Sequence, residues 1–174
     1  MAENFPLVRD VTIPLDRYPH LNEHQTLQDA ITEIHSFAVG EKERIRYSSL
    51  LIVNDSNQLV GKVTLNDLLH GLVPRLVEAT KVEKFEGKGS EFSNLAILME
   101  DSFFSNCKQQ SQKKISEFMS KIPLMITADS PLLEALVMML NTENTILPVV
   151  DEDKIIGVVC MEELFTAITS QCAL

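Results

Sequence analysis

The chain is 174 residues long, with 45% hydrophobic and 23% charged residues, and its 25 acidic and 15 basic side chains give a net charge of −10. A chain of this size and composition can bury a sizeable core, so the composition excludes wholesale disorder. The acidic balance argues against a nucleic-acid partner, because the affinity of such proteins comes largely from basic contacts to phosphate.

The first clear predicted element is an amphipathic helix near 26–37. Its apolar residues recur at helical spacing and form one face. They are Leu27, Ala30, Ile31 and Ile34.

A polar stretch, 39–47, follows this helix. The simpler interpretation is a longer helix end or a surface loop. The alternative is a basic contribution near the mouth of a ligand site, from Arg44 and Arg46.

A strand is predicted to turn into a helix over 61–67. Gly61 allows a close backbone approach, and Thr64 is placed as the helix N-cap with Asp67 three residues later. The start of a helix suits a phosphate, and the Asp67 carboxylate can accept hydrogen bonds from the hydroxyls of a ribose. Taken alone, however, the pattern is a capping box, which occurs on many helices that bind nothing.

The segment that follows, 73–112, is long for a connection in a compact domain. Its middle is polar and is predicted to be a loop, whereas 92–103 has an apolar stripe that predicts a helix. Such a stripe is more typical of a core or a dimer contact than of a cofactor site.

The last third of the chain predicts a strand, a helix, two strands and a closing helix. The first strand is expected at 125–127, and Asp129-Ser130-Pro131 is a typical helix start. The later elements are expected at 132–140, 147–150, 155–159 and 161–168, with a polar hairpin turn at 151–154.

The same order of elements therefore occurs twice. Residues 51–69 align without a gap to 147–165 at an offset of 96 (157 minus 61), whereas the first helices align at an offset of 105 (135 minus 30). The difference, nine residues, falls in the polar stretch 39–47. A repeat at this scale predicts two copies of one supersecondary unit, and clefts between packed units are typical sites for small ligands.

The chain resembles a tandem pair of CBS domains, often called a Bateman module. The resemblance rests on the repeated order of elements, on the 61–67 motif, and on the runs 51–55, 130–135 and 147–151. It implies an α/β fold of two CBS-type β-α-β-β-α units packed about a pseudo-twofold axis. The expected domains are a first CBS unit with the N-terminal segment at 1–72, a partly helical connection at 73–112, and a second CBS unit at 113–174.

The resemblance also implies a ligand that contains adenosine, such as AMP, ADP, ATP or S-adenosylmethionine. The family's aspartate and threonine correspond to Asp67, which would hold the ribose, and Thr64, which would lie near the phosphate. The base would contact the first strand and the start of the second, at His20, Leu21, Ser48 and Ser49.

The second copy departs from this pattern. Cys160 replaces the hydroxyl residue and Glu163 replaces the aspartate, and cysteine is a weak hydrogen-bond donor. The remaining polar candidates for a second site are Thr127, Thr145 and Glu163. We therefore expect one competent site around the first copy and a weakened or empty site in the second.

The predicted function is a regulatory module that senses a ligand and signals its occupancy to a partner protein. The resemblance implies a homodimer, and the absence of nucleophile and phosphate-loop motifs predicts that the chain is not an enzyme. The alternative is a protein–protein interaction module that keeps the fold but binds no nucleotide. The four histidines form no ligand set, so no metal site is expected.

The location of the protein is expected to be cytoplasmic. The three cysteines are odd in number and lack metal-type spacing, which is typical of reduced thiols. The start of the chain has no signal-peptide pattern, and the longest apolar run, 135–140, is far shorter than the ~20 residues that cross a bilayer. No membrane partner is therefore expected.

Overall fold

The computed structural model describes residues 5–74, 78, 104–122 and 124–172. Over these residues it contains two α/β units of similar topology. The predicted helix over 92–103 lies outside the described residues.

The chain begins with a short segment that precedes the first unit. This first lead-in segment, residues 6–14, contains a 3-10 turn at Val8–Val11 and the strand β1 (Ile13–Pro14). β1 does not join the sheet of the unit that follows it.

The first unit has a three-stranded sheet in the order β2-β3-β4. Its elements are β2 (His20–Asn22), α1 (Leu27–Ser36), β3 (Ser49–Val53), β4 (Leu59–Thr64) and α2 (Leu65–Leu72). β2 lies parallel to β3, and β3 lies antiparallel to β4. The helix predicted near 26–37 is α1, and it begins after Thr26, whose hydroxyl accepts a hydrogen bond from the Asp29 backbone N–H.

The second unit repeats this order. Its elements are β5 (Ile126–Thr127), α3 (Leu132–Thr142), β6 (Ile146–Asp151), β7 (Lys154–Cys160) and α4 (Met161–Gln171). The predicted hairpin turn at 151–154 joins β6 to β7, and both Glu152 and Asp153 have positive φ there. The sheet has the order β1-β7-β6-β5, so its edge strand comes from the first lead-in segment.

Each unit is completed by the segment that precedes the other one. β1 pairs antiparallel with β7, and the fully buried Val8 packs in the core of the second unit. In return, the second lead-in segment, residues 113–120, forms an antiparallel bridge between Ser120 and Lys62 of β4. Its fully buried Ile115 packs in the core of the first unit. The two units are thus related by a reciprocal exchange, which gives the pair its pseudo-twofold arrangement.

Gly61 of β4 and Gly157 of β7 are equivalent in the repeat, and each lies where a lead-in segment crosses its strand. A Cβ on Gly157 would collide with the backbone carbonyl oxygen of Ile13. A Cβ on Gly61 would lie 2.9 Å from Sδ of Met119 and 3.0 Å from the carbonyl oxygen of Ser120. The close backbone approach predicted for Gly61 is therefore made by the chain's own lead-in segment.

A third apolar cluster joins the two sheets. Its buried members come from both units and are Tyr18, Leu51, Val53, Ile155, Val158 and Cys160. Burial of this shared cluster holds the units face to face, at about 25 cal/mol for each Å² of apolar surface removed from water.

The polar stretch 39–47 is a loop on the first unit. Val39 and Arg44 form an antiparallel bridge across a tight turn, with Gly40 at φ +78° and Glu43 at φ +46°. The loop returns the chain to the start of β3, which places Arg46 and Tyr47 beside the junction of the two units.

The connection between the units is described only in part, and residues 104–110 of it are helical. Its end contacts α1, because the backbone N–H of Gln28 donates to the carbonyl oxygen of Ser111. Within the described residues, no helix combines the length and the apolar character that crossing a bilayer requires.

Candidate functional site

A cavity of about 280 Å³ lies at the junction of the two units. Both units contribute to its walls. The lining residues are Tyr18, Arg46, Tyr47 and Ser48 from the first unit, and Thr145, Ile146, Cys160, Glu162 and Glu163 from the second.

The second-unit wall is the junction of β7 and α4. β7 ends at Cys160 and α4 begins at Met161, so Glu162 and Glu163 occupy the first helical turn. The backbone N–H of Met161 donates to the carbonyl oxygen of Thr145 at 2.9 Å, which ties the start of β6 to the start of α4. Acidic residues are stabilised at this end of a helix by its dipole.

Glu163 has an unused hydrogen-bonding atom inside this wall. Its Oε2 is buried and has no hydrogen-bond partner among the residues that the structure describes. A buried acceptor without a partner costs free energy, on the order of 1–3 kcal/mol, so this atom is suited to a donor supplied by a bound molecule.

Cys160 lies beside the two carboxylates. Burial raises the pKa of the Cys160 thiol from 9.0 to about 12, with smaller contributions from the negative charges of Glu163 and Glu162. The sulfur and the carboxylate oxygens of these three residues lie within 4.8 Å of one another. A metal ion would have to displace the thiol proton against this raised pKa, because the thiolate is the ligating form.

The first-unit wall is aromatic. The rings of Tyr18 and Tyr47 have centroids 4.7 Å apart, and the guanidinium carbon of Arg46 lies 5.1 Å from the Tyr47 centroid. Burial chiefly raises the pKa of both tyrosine hydroxyls, so these rings are neutral. Of the described residues that line the cavity, Arg46 is the one with a positive charge.

Thr64 and Asp67 occupy the equivalent junction of the first unit. The Thr64 hydroxyl donates to the Asp67 carboxylate at 2.7 Å, and the Asp67 backbone N–H donates to the Thr64 hydroxyl oxygen at 3.2 Å. The Thr64 backbone N–H also donates to that carboxylate, at 2.8 Å. In this structure the pair forms the capping box of α2, and neither residue lines the 280 Å³ cavity.

The residues predicted to contact the base are dispersed. Ser48 lines the cavity. Leu21 is in the first-unit core, and the Ser49 hydroxyl lies 3.0 Å from the Tyr18 hydroxyl. The His20 ring Nδ1 lies 2.8 Å from the carbonyl oxygen of Tyr18.

The residues predicted for the second site are partly brought together. Thr145 and Glu163 both line the cavity. Thr127 is exposed, and its hydroxyl lies 3.2 Å from that of Ser130. The roles proposed for all these residues stay predictions.

Sequence reasoning missed the aromatic wall. The chain has only two tyrosines, Tyr18 and Tyr47, and both line the cavity, so their rarity was the available signal. Of the two arginines in the polar stretch 39–47, Arg46 lines the cavity, as the alternative interpretation of that stretch expected.

The fold and the cavity between its halves define a two-unit module, and the chain belongs to the CBS domain family. The CBS domain family model matches residues 8–74 and 115–170. The resemblance and the α/β fold of two CBS units are thereby confirmed.

Solved structures show the same fold at low sequence identity. The CBS-pair protein CBSX2 from Arabidopsis thaliana is 20% identical, with 98% of this chain and 99% of that chain covered and a TM-score of 0.66. A structure of CBSX2 in complex with AMP is 21% identical over 95% and 97% of the two chains, with a TM-score of 0.62. A CBS domain-containing protein of unknown function from Kribbella flavida is 15% identical over 95% and 99%, with a TM-score of 0.71. A search among curated proteins finds no match to the chain.

Proposed function

We propose that this protein is a regulatory module that binds an adenosine-containing ligand in the cavity between its CBS units and signals occupancy to a partner protein. The observation that supports this most is the buried Oε2 of Glu163, an acceptor without a partner in a cavity built by both units. The AMP complex of CBSX2, a protein of the same fold, supports an adenine nucleoside or nucleotide as the ligand class.

In this proposal Glu163 accepts hydrogen bonds from the ribose hydroxyls. Glu163 stands 96 positions after Asp67, the position at which the family's aspartate holds the ribose. A carboxylate oxygen that has lost its water and has no protein partner gains most from such a donor. Tyr47 offers an aromatic face to the base, and Ser48 and Thr145 offer hydroxyls on either side of the cavity.

The proposed signalling depends on the fact that both CBS units contribute residues to the cavity walls. A ligand that touches Tyr47 and Glu163 together binds one arrangement of the two units better than any other arrangement. It can shift the equilibrium between arrangements by as much as that difference in affinity. The proposed role needs no catalytic residue, so we propose a non-enzymatic, cytoplasmic regulator.

We further propose that the protein is a homodimer. α3 exposes an apolar stripe on one face, formed by Leu133, Val137 and Leu140, which are 61%, 55% and 63% exposed. Exposed apolar residues that are contiguous on one face are typical of a protein interface. The same stripe favours the alternative function, an interaction module without a nucleotide, and the identity of the regulated protein is open.

The experiment compares two matched variants at the two equivalent junctions. Binding of AMP, ADP, ATP and S-adenosylmethionine is measured by calorimetry and by the ligand-induced change in unfolding free energy, for the wild type, Glu163→Ala and Asp67→Ala. A ligand at 100 times its dissociation constant should stabilise the wild type by roughly 2.7 kcal/mol. Using the ligand-induced change removes the stability effect of losing the α2 cap in Asp67→Ala.

We expect Glu163→Ala to abolish the ligand-induced stabilisation and Asp67→Ala to retain it. The opposite result would place the ligand at the first-copy site around Thr64 and Asp67. If no member of the panel binds the wild type, the nucleotide-sensing function is wrong and the interaction module is favoured.

A further inference from the structure

The part of the cavity lining that the structure describes carries more negative than positive charge. Among its lining residues, Glu162 and Glu163 are acidic and Arg46 is basic. Arg46 and Glu162 are both exposed and Glu163 is half-buried, so water screens the charge of Glu163 the least of the three.

The start of α4 would otherwise attract a phosphate. The N-cap, Cys160, makes no side-chain hydrogen bond to the helix, so the first backbone N–H groups receive no cap from it. Free N–H groups at a helix N-terminus are a common anion site. Here two carboxylates, Glu162 and Glu163, already occupy the first turn, and their negative charges offset the positive end of the helix dipole.

The equivalent helix of the first unit differs in this respect. α2 has one acidic residue in its first turn, Asp67, and it has the neutral Asn66 at the position equivalent to Glu162. The first turn of α4 therefore has one more negative charge than the first turn of α2, and this added charge, on Glu162, lies beside the cavity.

The thiol of Cys160 lies close to both carboxylates, with its sulfur and their oxygens within 4.8 Å of one another. After burial, the main contributions that raise its pKa come from Glu163 and Glu162. Both carboxylates thus act on the group at the end of β7 that lines the cavity.

Resting on the proposed function, we infer that the cavity selects adenosine-type ligands that carry no net negative charge, and that Glu162 is the residue that discriminates against a phosphate. A monophosphate brings a charge of about −1.5 to −2 at neutral pH, and it would meet two carboxylates balanced by a single exposed cation. A neutral nucleoside avoids this repulsion, and a cationic sulfonium is attracted by the two carboxylates.

The test measures affinities by calorimetry for two matched ligand pairs at low ionic strength. Adenosine and AMP differ by the phosphate, and S-adenosylmethionine and S-adenosylhomocysteine differ by the cationic methyl group. Adenosine should bind at least about tenfold more tightly than AMP, with ATP weaker still, and the sulfonium should bind more tightly than the thioether. Added salt should reduce both ratios.

The matched variants are Glu162→Gln and Glu152→Gln. Each removes one negative charge, but Glu152 lies in the turn between β6 and β7, at the opposite end of β7 from Cys160. Glu162→Gln should lower the adenosine-to-AMP affinity ratio by at least about threefold, and Glu152→Gln should leave it unchanged.

The inference is overturned if AMP binds as tightly as adenosine, if the thioether binds more tightly than the sulfonium, or if the two variants alter the ratio equally. In these cases the proposed function stands, because an adenosine-containing ligand still binds. If no ligand of either pair binds, the inference and the proposed function both fail.

Discussion

Asp67 and Glu163 stand at equivalent positions of the repeat, but their carboxylates have different surroundings. Asp67 accepts hydrogen bonds from the backbone N–H and the hydroxyl of Thr64. Glu163 has Cys160 at the position of that threonine, and the buried Oε2 finds no partner in the described part of the chain. Loss of the hydroxyl therefore leaves the second carboxylate available to a ligand.

The residue types alone do not predict how these two carboxylates are partnered. The exchange of threonine and aspartate for Cys160 and Glu163 predicted a weakened second site, because each residue was judged by its own hydrogen-bonding capacity, and that expectation stays a prediction. The 61–67 motif indicated a capping box between Thr64 and Asp67, but the sequence does not reveal that Oε2 of Glu163 is buried without a partner in the described part of the chain. Tyr18 and Tyr47 were missed for a related reason: only the packing of the two units brings them to Glu163.

The first prediction concerns the ionisation of Cys160. Its pKa is raised from 9.0 to about 12, so the unfolded chain loses the thiol proton at a lower pH than the folded protein does. The resulting stabilisation is complete below pH 9 and falls as the pH rises toward 12, by at most about 1.4 kcal/mol per pH unit.

Urea unfolding at pH 8 and pH 10.5 checks this expectation in the wild type and in Cys160→Ala. The free energy of unfolding should fall more steeply with pH in the wild type, since both proteins share every other titrating group. Equal decreases would contradict the raised pKa. Labelling with a thiol reagent gives a second measurement: Cys172 is exposed and should react in the native protein, whereas Cys160 should react only after unfolding.

At the scale of elements, periodicity predicted the local structure well. The helix expected near 26–37 is Leu27–Ser36, and the closing helix expected at 161–168 is Met161–Gln171. The lead-in segments were not predicted. β1 has two residues, and its partner strand β7 begins about 140 positions later in the chain, so no local pattern indicates the pairing.

The second prediction tests the close approach of these segments at the repeated glycines. Gly157→Ala should destabilise the protein by about 1–3 kcal/mol, because its Cβ meets a backbone carbonyl of Ile13 that cannot move without shifting β1. Gly61→Ala should cost less, because the nearest atom is the Sδ of Met119, which belongs to a flexible side chain. Chemical denaturation of both variants measures the difference, and an equal or greater cost at Gly61 would contradict this explanation.

At the scale of the whole molecule, the exchanged segments make each core depend on both halves of the sequence. Val8 lies in the second-unit core, and Ile115 lies in the first-unit core. Residues 1–72 and 113–174 were predicted to be the two domains, and those boundaries stay a prediction. The packing indicates that neither range contains its complete core.

The third prediction follows from this dependence. Ile115→Ala removes a fully buried side chain and should lower the free energy of unfolding by about 2–5 kcal/mol. Unfolding should remain a single transition, with amide exchange accelerating together in β3 and β6. The control, Val39→Ala, alters a residue that is 49% exposed and should change stability by less than about 0.5 kcal/mol. Faster exchange confined to the first unit would contradict the coupling.

The fourth prediction concerns the proposed homodimer. The apolar stripe of α3 has polar counterparts on α1, at Gln28, Thr32 and His35. Light scattering should give the wild type about twice the chain mass of 19.5 kDa, and Val137→Glu should reduce it to the monomer. The matched control, Thr32→Glu, should leave the mass unchanged. A wild-type monomer at every concentration would contradict the homodimer.

The reciprocal exchange also bears on how such a duplicated chain arises. A lone ancestral half would lack the buried residue and edge strand that its own core requires, and a second identical molecule would be the nearest source. Gene fusion would then tie two mutually dependent molecules together without creating a new contact. Once tied, the two copies would be free to diverge, and one junction could keep a hydroxyl and an aspartate while the other took a thiol and a glutamate.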